Sequence, residues 1–261
     1  MEGKRFLMKK RFAAAVLAAV LTAALGLNVL AAAPTVQEVE HTIDQIGTVT
    51  RENRKAVEKA VEAYSQLDNA QKSEVSNFGT LAEAQQVLGI QDAVAKLKVG
   101  YDKKDDAVIL LSPYTEKNEK NDSCTVAPVL YASDKYSSPI LFLFFEYLGS
   151  DYLQTQTVRI KAGGSTYQYR AKDFAQTSYG TIKLDGKTRA IERGIRVASR
   201  NDVKVLSAML ADAKTTIQFV GKDKTVDYVL SNEDRQAITD VLYAYDLMNQ
   251  ASADVLHKVL V

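Results

Sequence analysis

Side chains that readily do acid–base or nucleophilic chemistry are few. The two histidines, His41 and His257, stand at opposite ends of the chain, and Cys124 is the single cysteine. A histidine acting as general base or metal ligand needs named partners. His41 lies between helical apolar positions and His257 in the tail after Ala253, so both read as surface or tail residues. Cys124 sits in Ser123-Cys-Thr-Val-Ala127, the setting of a small buried strand residue. A lone cysteine forms no internal disulfide, and no histidine near it in sequence supports a reactive thiol. The patterns GxSxG, HExxH, GxxxxGK[ST] and GxGxxG are absent, which argues against common hydrolase, zinc-protease and nucleotide-binding sites.

Acidic clusters come next. Asp102, Asp105 and Asp106 could supply oxygens to a calcium ion. Two interleaved lysines and the lack of glycine favour a solvated strand entrance instead. Glu146 stands within the apolar run Ile140–Leu148, where an unpaired buried acid is costly. We expect it to pair across a sheet with Arg159 or Arg170. A pair of glycan-hydrolysing carboxylates depends on spatial spacing that one sequence does not reveal.

Tyrosines form the third group. Tyr147, Tyr152, Tyr167, Tyr169 and Tyr179 cluster around one candidate hairpin, and the chain has no tryptophan. Alternation places Tyr167 and Tyr169 on one face of a strand. Ordinary strand packing is the simple reading. The functional reading is a surface for a glycan or protein partner at Tyr152, Tyr167 and Tyr169, because tyrosine offers rigid amphipathic contact area. No cofactor or metal site is expected.

These candidates must be positioned by the elements around them. Residues 1–31 read as an export signal: Lys4, Arg5, Lys9, Lys10 and Arg11 precede an apolar stretch, and Val29-Leu-Ala31 offers a cleavage pattern. We expect cleavage after Ala31 or Ala32, and a secreted or extracellular, possibly wall-associated, location. The apolar stretch is shorter than the roughly 20 residues a membrane span needs. The chain has 33 basic and 32 acidic residues, of which five basic and one acidic lie in the signal, leaving the rest slightly acidic. That balance carries no electrostatic footprint for nucleic acid.

Residues 34–98 show helical periodicity, and short connections imply a small antiparallel bundle. Val36, Val39, Ile43 and Ile46 form the first stripe, ending at Gly47. Thr50 is expected to cap a second helix bearing Val57, Ala60 and Tyr64. Asp68-Asn-Ala-Gln71 is a capping box, and Thr80 is expected to open the last helix. Ile43-Asp-Gln-Ile-Gly-Thr-Val-Thr50, Tyr64-Ser-Gln-Leu67 and Val75-Ser-Asn77 resemble a helical module of Gram-positive secreted and surface proteins. The likeness covers about residues 38–90. It implies a spacer or interaction unit without catalytic residues.

From Val99 the period changes to two. Expected strands are 107–112, 125–132, 140–148, 157–162, 166–170, 181–184 and 190–198, with the polar run 115–123 as an exposed loop. Val158–Tyr169 around Gly163-Gly164 is the clearest hairpin. The run 140–148 should be a central strand covered on both faces. Asn201 is expected to cap a helix, followed by the hairpin 215–230 and a helix opened by the box Ser231-Asn-Glu-Asp234. The result is an α+β chain: a helical module, a mostly antiparallel β-rich domain over 100–250 ending in helix, hairpin and helix, and a tail over 251–261.

Gly149-Ser-Asp-Tyr152 with Val158-Arg-Ile-Lys-Ala-Gly-Gly, and Thr215-Thr-Ile-Gln-Phe-Val-Gly221 with Leu230-Ser231, resemble a second, uncharacterised domain. It recurs in exported envelope proteins of the same bacteria. Members commonly carry tryptophan and Asp-Gly where this chain has Tyr152 and Gly163-Gly164. The resemblance assigns no catalytic residue and implies a non-enzymatic envelope protein. Three functions are therefore in view: a binding module, a wall-glycan enzyme with a carboxylate site not located, and a structural unit self-associating through strand edges near 215–230.

Overall fold

The computed structural model describes residues 33–115, 123–133, 135–136, 138–184 and 186–260. The expected signal, its cleavage site and most of the polar run 115–123 lie outside them. The chain is α+β with antiparallel sheets. It divides into two units, one ending at Leu88 and one starting at Gly89, ahead of the change in periodicity.

The first unit holds α1 (Val36–Asp44), α2 (Arg54–Ser65), α3 (Asn69–Glu74) and the opening of α4 (Phe78–Val94). Reciprocal caps start α1 and α3. The Thr35 hydroxyl accepts the N–H of Glu38, whose carboxylate accepts the N–H of Thr35 at 2.7 Å. Asp68 and Gln71 repeat the pattern. Each box satisfies N–H groups that the first turn leaves without intrahelical partners. Thr50 does not cap α2 directly: its side chain and that of Asn53 exchange bonds with each other's N–H one turn earlier. Helix α4 begins at Phe78, not at Thr80, with the Phe78 ring stacked on Tyr64 at 4.8 Å. Val39, Ile43, Val57, Ala60, Leu81 and Ala84 form the buried cluster.

In the second unit, β1 (Lys98–Asp102), β2 (Ala107–Leu111), β3 (Ser123–Ala132), β4 (Ile140–Gly149), β7 (Gln176–Leu184) and β8 (Lys187–Val197) make one sheet. Its order is β1-β2-β3-β4-β8-β7. Then β5 (Thr157–Ala162), β6 (Ser165–Arg170), β9 (Thr216–Val220) and β10 (Thr225–Val229) make another, ordered β10-β9-β5-β6. The strand at 98–102 and the segment 176–180 add to the expected set: Val99 and Tyr101 alternate with their neighbours but both stay exposed, and Gln176–Gly180 shows no apolar alternation. Hairpin β5–β6 turns at Gly163 and Gly164, whose φ angles of +57° and +73° suit glycine.

Strand β4 is internal, but it is not covered on both faces. Leu141, Leu143, Phe145 and Tyr147 are buried, whereas Phe142, Phe144 and Glu146 are half-buried. The neighbouring β3 is the strand buried continuously, from Cys124 to Leu130. Helix α5 (Arg200–Ala211) packs on β5, and α6 (Asn232–Gln250) packs on β2, β3 and α5. Ser199, not Asn201, caps α5, because Ser199 and Asp202 form a capping box two residues earlier than expected. Arg235 of α6 donates to the carbonyls of Met209, Leu210 and Asp212, closing the C-terminal end of α5. The expected tail is a helix, α7 (Ala253–Leu260), seated by buried Val255 and Leu256. Among the described residues no helix is long and apolar enough to cross a membrane.

Candidate functional site

The two sheets are joined by the strap Ser150–Gln156, which leaves β4 and enters β5. Leu153 anchors it: its side chain is buried, and its carbonyl accepts the N–H of Lys222 at 3.3 Å. The strap also passes so close to Gly221 that a Cβ there would lie 2.1 Å from the Leu153 carbonyl oxygen. At Gln156 the strap joins the second sheet, its N–H reaching the Val220 carbonyl at 2.9 Å.

Glu192 of β8 holds the other side of the strap. The residue is 5% exposed, and its carboxylate accepts the N–H of Gln154 at 2.6 Å, the N–H of Thr155 at 2.9 Å and the Thr155 hydroxyl at 2.8 Å. Those bonds fix Gln154 at φ +54°, a left-handed conformation uncommon outside glycine. A buried carboxylate needs such donors to offset its lost hydration. Glu192 is therefore an anchor, with both oxygens engaged by the strap.

Beside this anchor lies a small depression of about 20 Å³, lined by Phe145, Phe174, Tyr179, Glu192 and Phe219 among others. Phe145 faces Phe174 at 5.0 Å and Tyr169 at 4.9 Å, so its floor is aromatic. Gly194 lets the Phe174 ring approach β8 closely, because a Cβ there would meet ring carbons at 2.7 to 3.0 Å. At the rim, Tyr152 of the strap meets Tyr179 of β7 edge-on, with centroids 5.9 Å apart and planes at 74°. The Tyr152 hydroxyl donates to the Gly180 carbonyl at 3.0 Å. Both rings are open to solvent, Tyr152 at 44% and Tyr179 at 59%.

The tyrosines expected to form a surface do not stay together. Tyr167 and Tyr169 share a face of β6, as alternation requires, but that face turns inward. Tyr169 is 5% exposed, with Arg196 over its ring at 5.3 Å, and Tyr167 is half-buried. Burial, reinforced by the nearby Asp202 carboxylate, pushes the Tyr169 phenol well above its ordinary value. Of the three expected residues, only Tyr152 is at the rim. Its companion is Tyr179, which sequence reading placed in the tyrosine group without placing it at the site.

Glu146 pairs with Arg193 at 2.6 Å, not with Arg159 or Arg170. The register puts Glu146 opposite Arg193 across β4 and β8, whereas the other two arginines belong to the second sheet. The acids at 102–106 occupy the β1–β2 turn. The Tyr131 hydroxyl donates to Asp105 at 3.0 Å and, more weakly, to Asp102 at 3.4 Å, while Lys135 donates to the Asp105 carbonyl. Partial burial and the two carboxylates raise the Tyr131 phenol. Among the described residues, no three His, Cys, Asp or Glu side chains converge to hold a metal ion. His41 is exposed on α1 and its ring bonds Gln45, His257 is exposed on α7, and Cys124 is fully buried.

Sequence reasoning missed Glu192, Gly194 and Phe174. Glu192 carried a usable signal: like Glu146, it is an acid inside a strand-forming run, Ala190-Ile-Glu-Arg-Gly-Ile195. No family model, curated protein or solved structure matches the chain.

Proposed function

We propose that this is an exported, non-catalytic protein of a Gram-positive envelope, in which a small antiparallel helical bundle is the spacer. The β-rich unit, ending in helix, hairpin and helix, binds a surface component or protein partner. The exposed Tyr152–Tyr179 pair at the rim of the aromatic depression carries the binding reading. Two edge-on rings in water present rigid apolar area with a polar tip, the kind of surface that contacts sugars or protein side chains at low entropic cost. The basic start of the chain and the residues resembling envelope modules support the location.

The test is co-sedimentation of the purified protein with isolated bacterial cell walls across a salt series. The expected result is saturable, salt-resistant retention that falls at least about tenfold in Tyr179→Ala and Tyr152→Ala. Retention unchanged in both variants would remove the aromatic pair from the binding surface. No retention at any salt would remove the wall and leave a soluble protein partner.

A further inference from the structure

Strand β7 is the outermost strand of its sheet, paired with β8 and with no strand on its other side among the described residues. It runs for nine residues, whereas the other outer strands, β1, β10 and β6, have five, five and six. Gln176 to Tyr179 are all exposed, and no proline interrupts the strand. Natural proteins usually shorten, cover or charge such an edge, because its backbone N–H and C=O groups are a template for another strand. Here one edge carbonyl is occupied: Gly180 accepts the Tyr152 hydroxyl. By the two-residue repeat, Ser178 and Ile182 turn the same way as Gly180.

The charge around the edge is uneven. Lys183 and Lys187 are exposed and Arg189 is partly so, three cations against the single acid Asp185 in the sequence 183–189, and the register sets Arg189 beside Ile182 and Lys187 beside Leu184. On the strap, exposed Asp151 is the sequence neighbour of Tyr152, whose hydroxyl reaches Gly180 at mid-strand. We infer that β7 is a strand-addition site for an extended, acidic segment of a partner polypeptide. Its carboxylates lie at the Lys183–Lys187 end and one of its side chains packs on the Tyr152–Tyr179 pair. Main-chain bonds supply affinity in this mode, while charge and the aromatic contact select the sequence. The inference rests on the binding reading above and names the partner's chemistry.

The probe is a fluorescein-labelled heptapeptide, Thr-Val-Thr-Val-Glu-Val-Glu, followed by polarisation and by amide hydrogen exchange of the full protein. A second peptide replaces glutamate with lysine, and a third keeps the glutamates but carries N-methylated amides. The acidic peptide should saturate, slow exchange at the amides of 176–184, and bind at least about tenfold more tightly than either control. Ser178→Pro should weaken it similarly, since it removes an outward N–H. The N-methylated control keeps the test decisive if that variant unfolds.

Equal binding by the N-methylated peptide, protection elsewhere than β7, or no binding would overturn the inference. A dimer that Ser178→Pro abolishes would overturn it in favour of a second copy of this chain. Wall retention that survives Ser178→Pro but not Tyr179→Ala would sink strand addition while the binding reading stands. Loss of both retention and peptide binding in wild type would sink the two together.

Discussion

The carboxylate of Glu192 reaches the backbone N–H of Gln154 at 2.6 Å, across 38 residues of chain, and holds Gln154 in a left-handed conformation. One side chain thus determines the path of the strap and the position of Tyr152, two residues earlier. Glu192→Ala would leave three donors around an apolar gap. A loss of about 2–4 kcal/mol is expected, since removing one member of a buried charged network strands its partners. Glu192→Gln, which keeps one acceptor oxygen, should lose less. Urea unfolding measures both, and a loss under about 1 kcal/mol for the alanine variant would show the strap held by other contacts.

Two glycines separate a backbone obstacle from a side-chain one. A methyl at Gly221 would meet the Leu153 carbonyl oxygen at 2.1 Å, and the strap cannot withdraw without breaking its bonds to Lys222 and Val220. The three atoms nearest a methyl at Gly194 all belong to the Phe174 ring. Overpacking costs about 1–3 kcal/mol and more where nothing yields, so Gly221→Ala should fall beyond that range and Gly194→Ala within it. Thermal unfolding of the two variants would show the order, and its reversal would refute this account of the strap.

The tyrosines should divide cleanly between stability and binding. Tyr169→Ala removes a buried ring packed on Phe145, and about 3–5 kcal/mol of stability should go with it. Tyr179→Ala removes an exposed ring and should change stability by only about 0.5 kcal/mol while reducing retention on cell walls. A Tyr179→Ala protein that unfolds early would place that ring in the core.

Asp212 supplies a pH dependence. Its carboxylate accepts the N–H of Lys214 at 2.9 Å and that of Gly163, in the β5–β6 turn, at 2.7 Å. Those bonds, the Lys214 one first, hold its pKa below the ordinary 3.8. A depressed carboxylate stabilises the fold above its unfolded pKa and loses that contribution as pH falls through its folded value. Asp212→Asn cannot titrate, so its urea midpoint should fall less steeply than wild type below about pH 4. Parallel curves for the two proteins in acid would show that Asp212 adds nothing to the acid sensitivity.

Features set within four residues of one another were legible in the sequence. The capping box at Asp68 and Gln71, the box at Ser231 and Asp234, and the glycine pair at the β5–β6 turn all complete their bonds locally. The change of period near Val99 likewise required only neighbouring residues to identify an α+β chain. Sequence also determined that Tyr167 and Tyr169 share a face, because strand geometry turns successive side chains to opposite sides. Which of the two faces meets the core depends on what packs against the sheet, and only the tertiary structure buried Tyr169 beneath Phe145 and Arg196. Sheet membership decided the partner of Glu146 in the same way: β8 lies beside β4, and Arg193 comes with it. Alternation defines two sides of a strand without naming either neighbour, so the rim pair Tyr152–Tyr179 and the Glu192 anchor arise from contacts tens of residues apart.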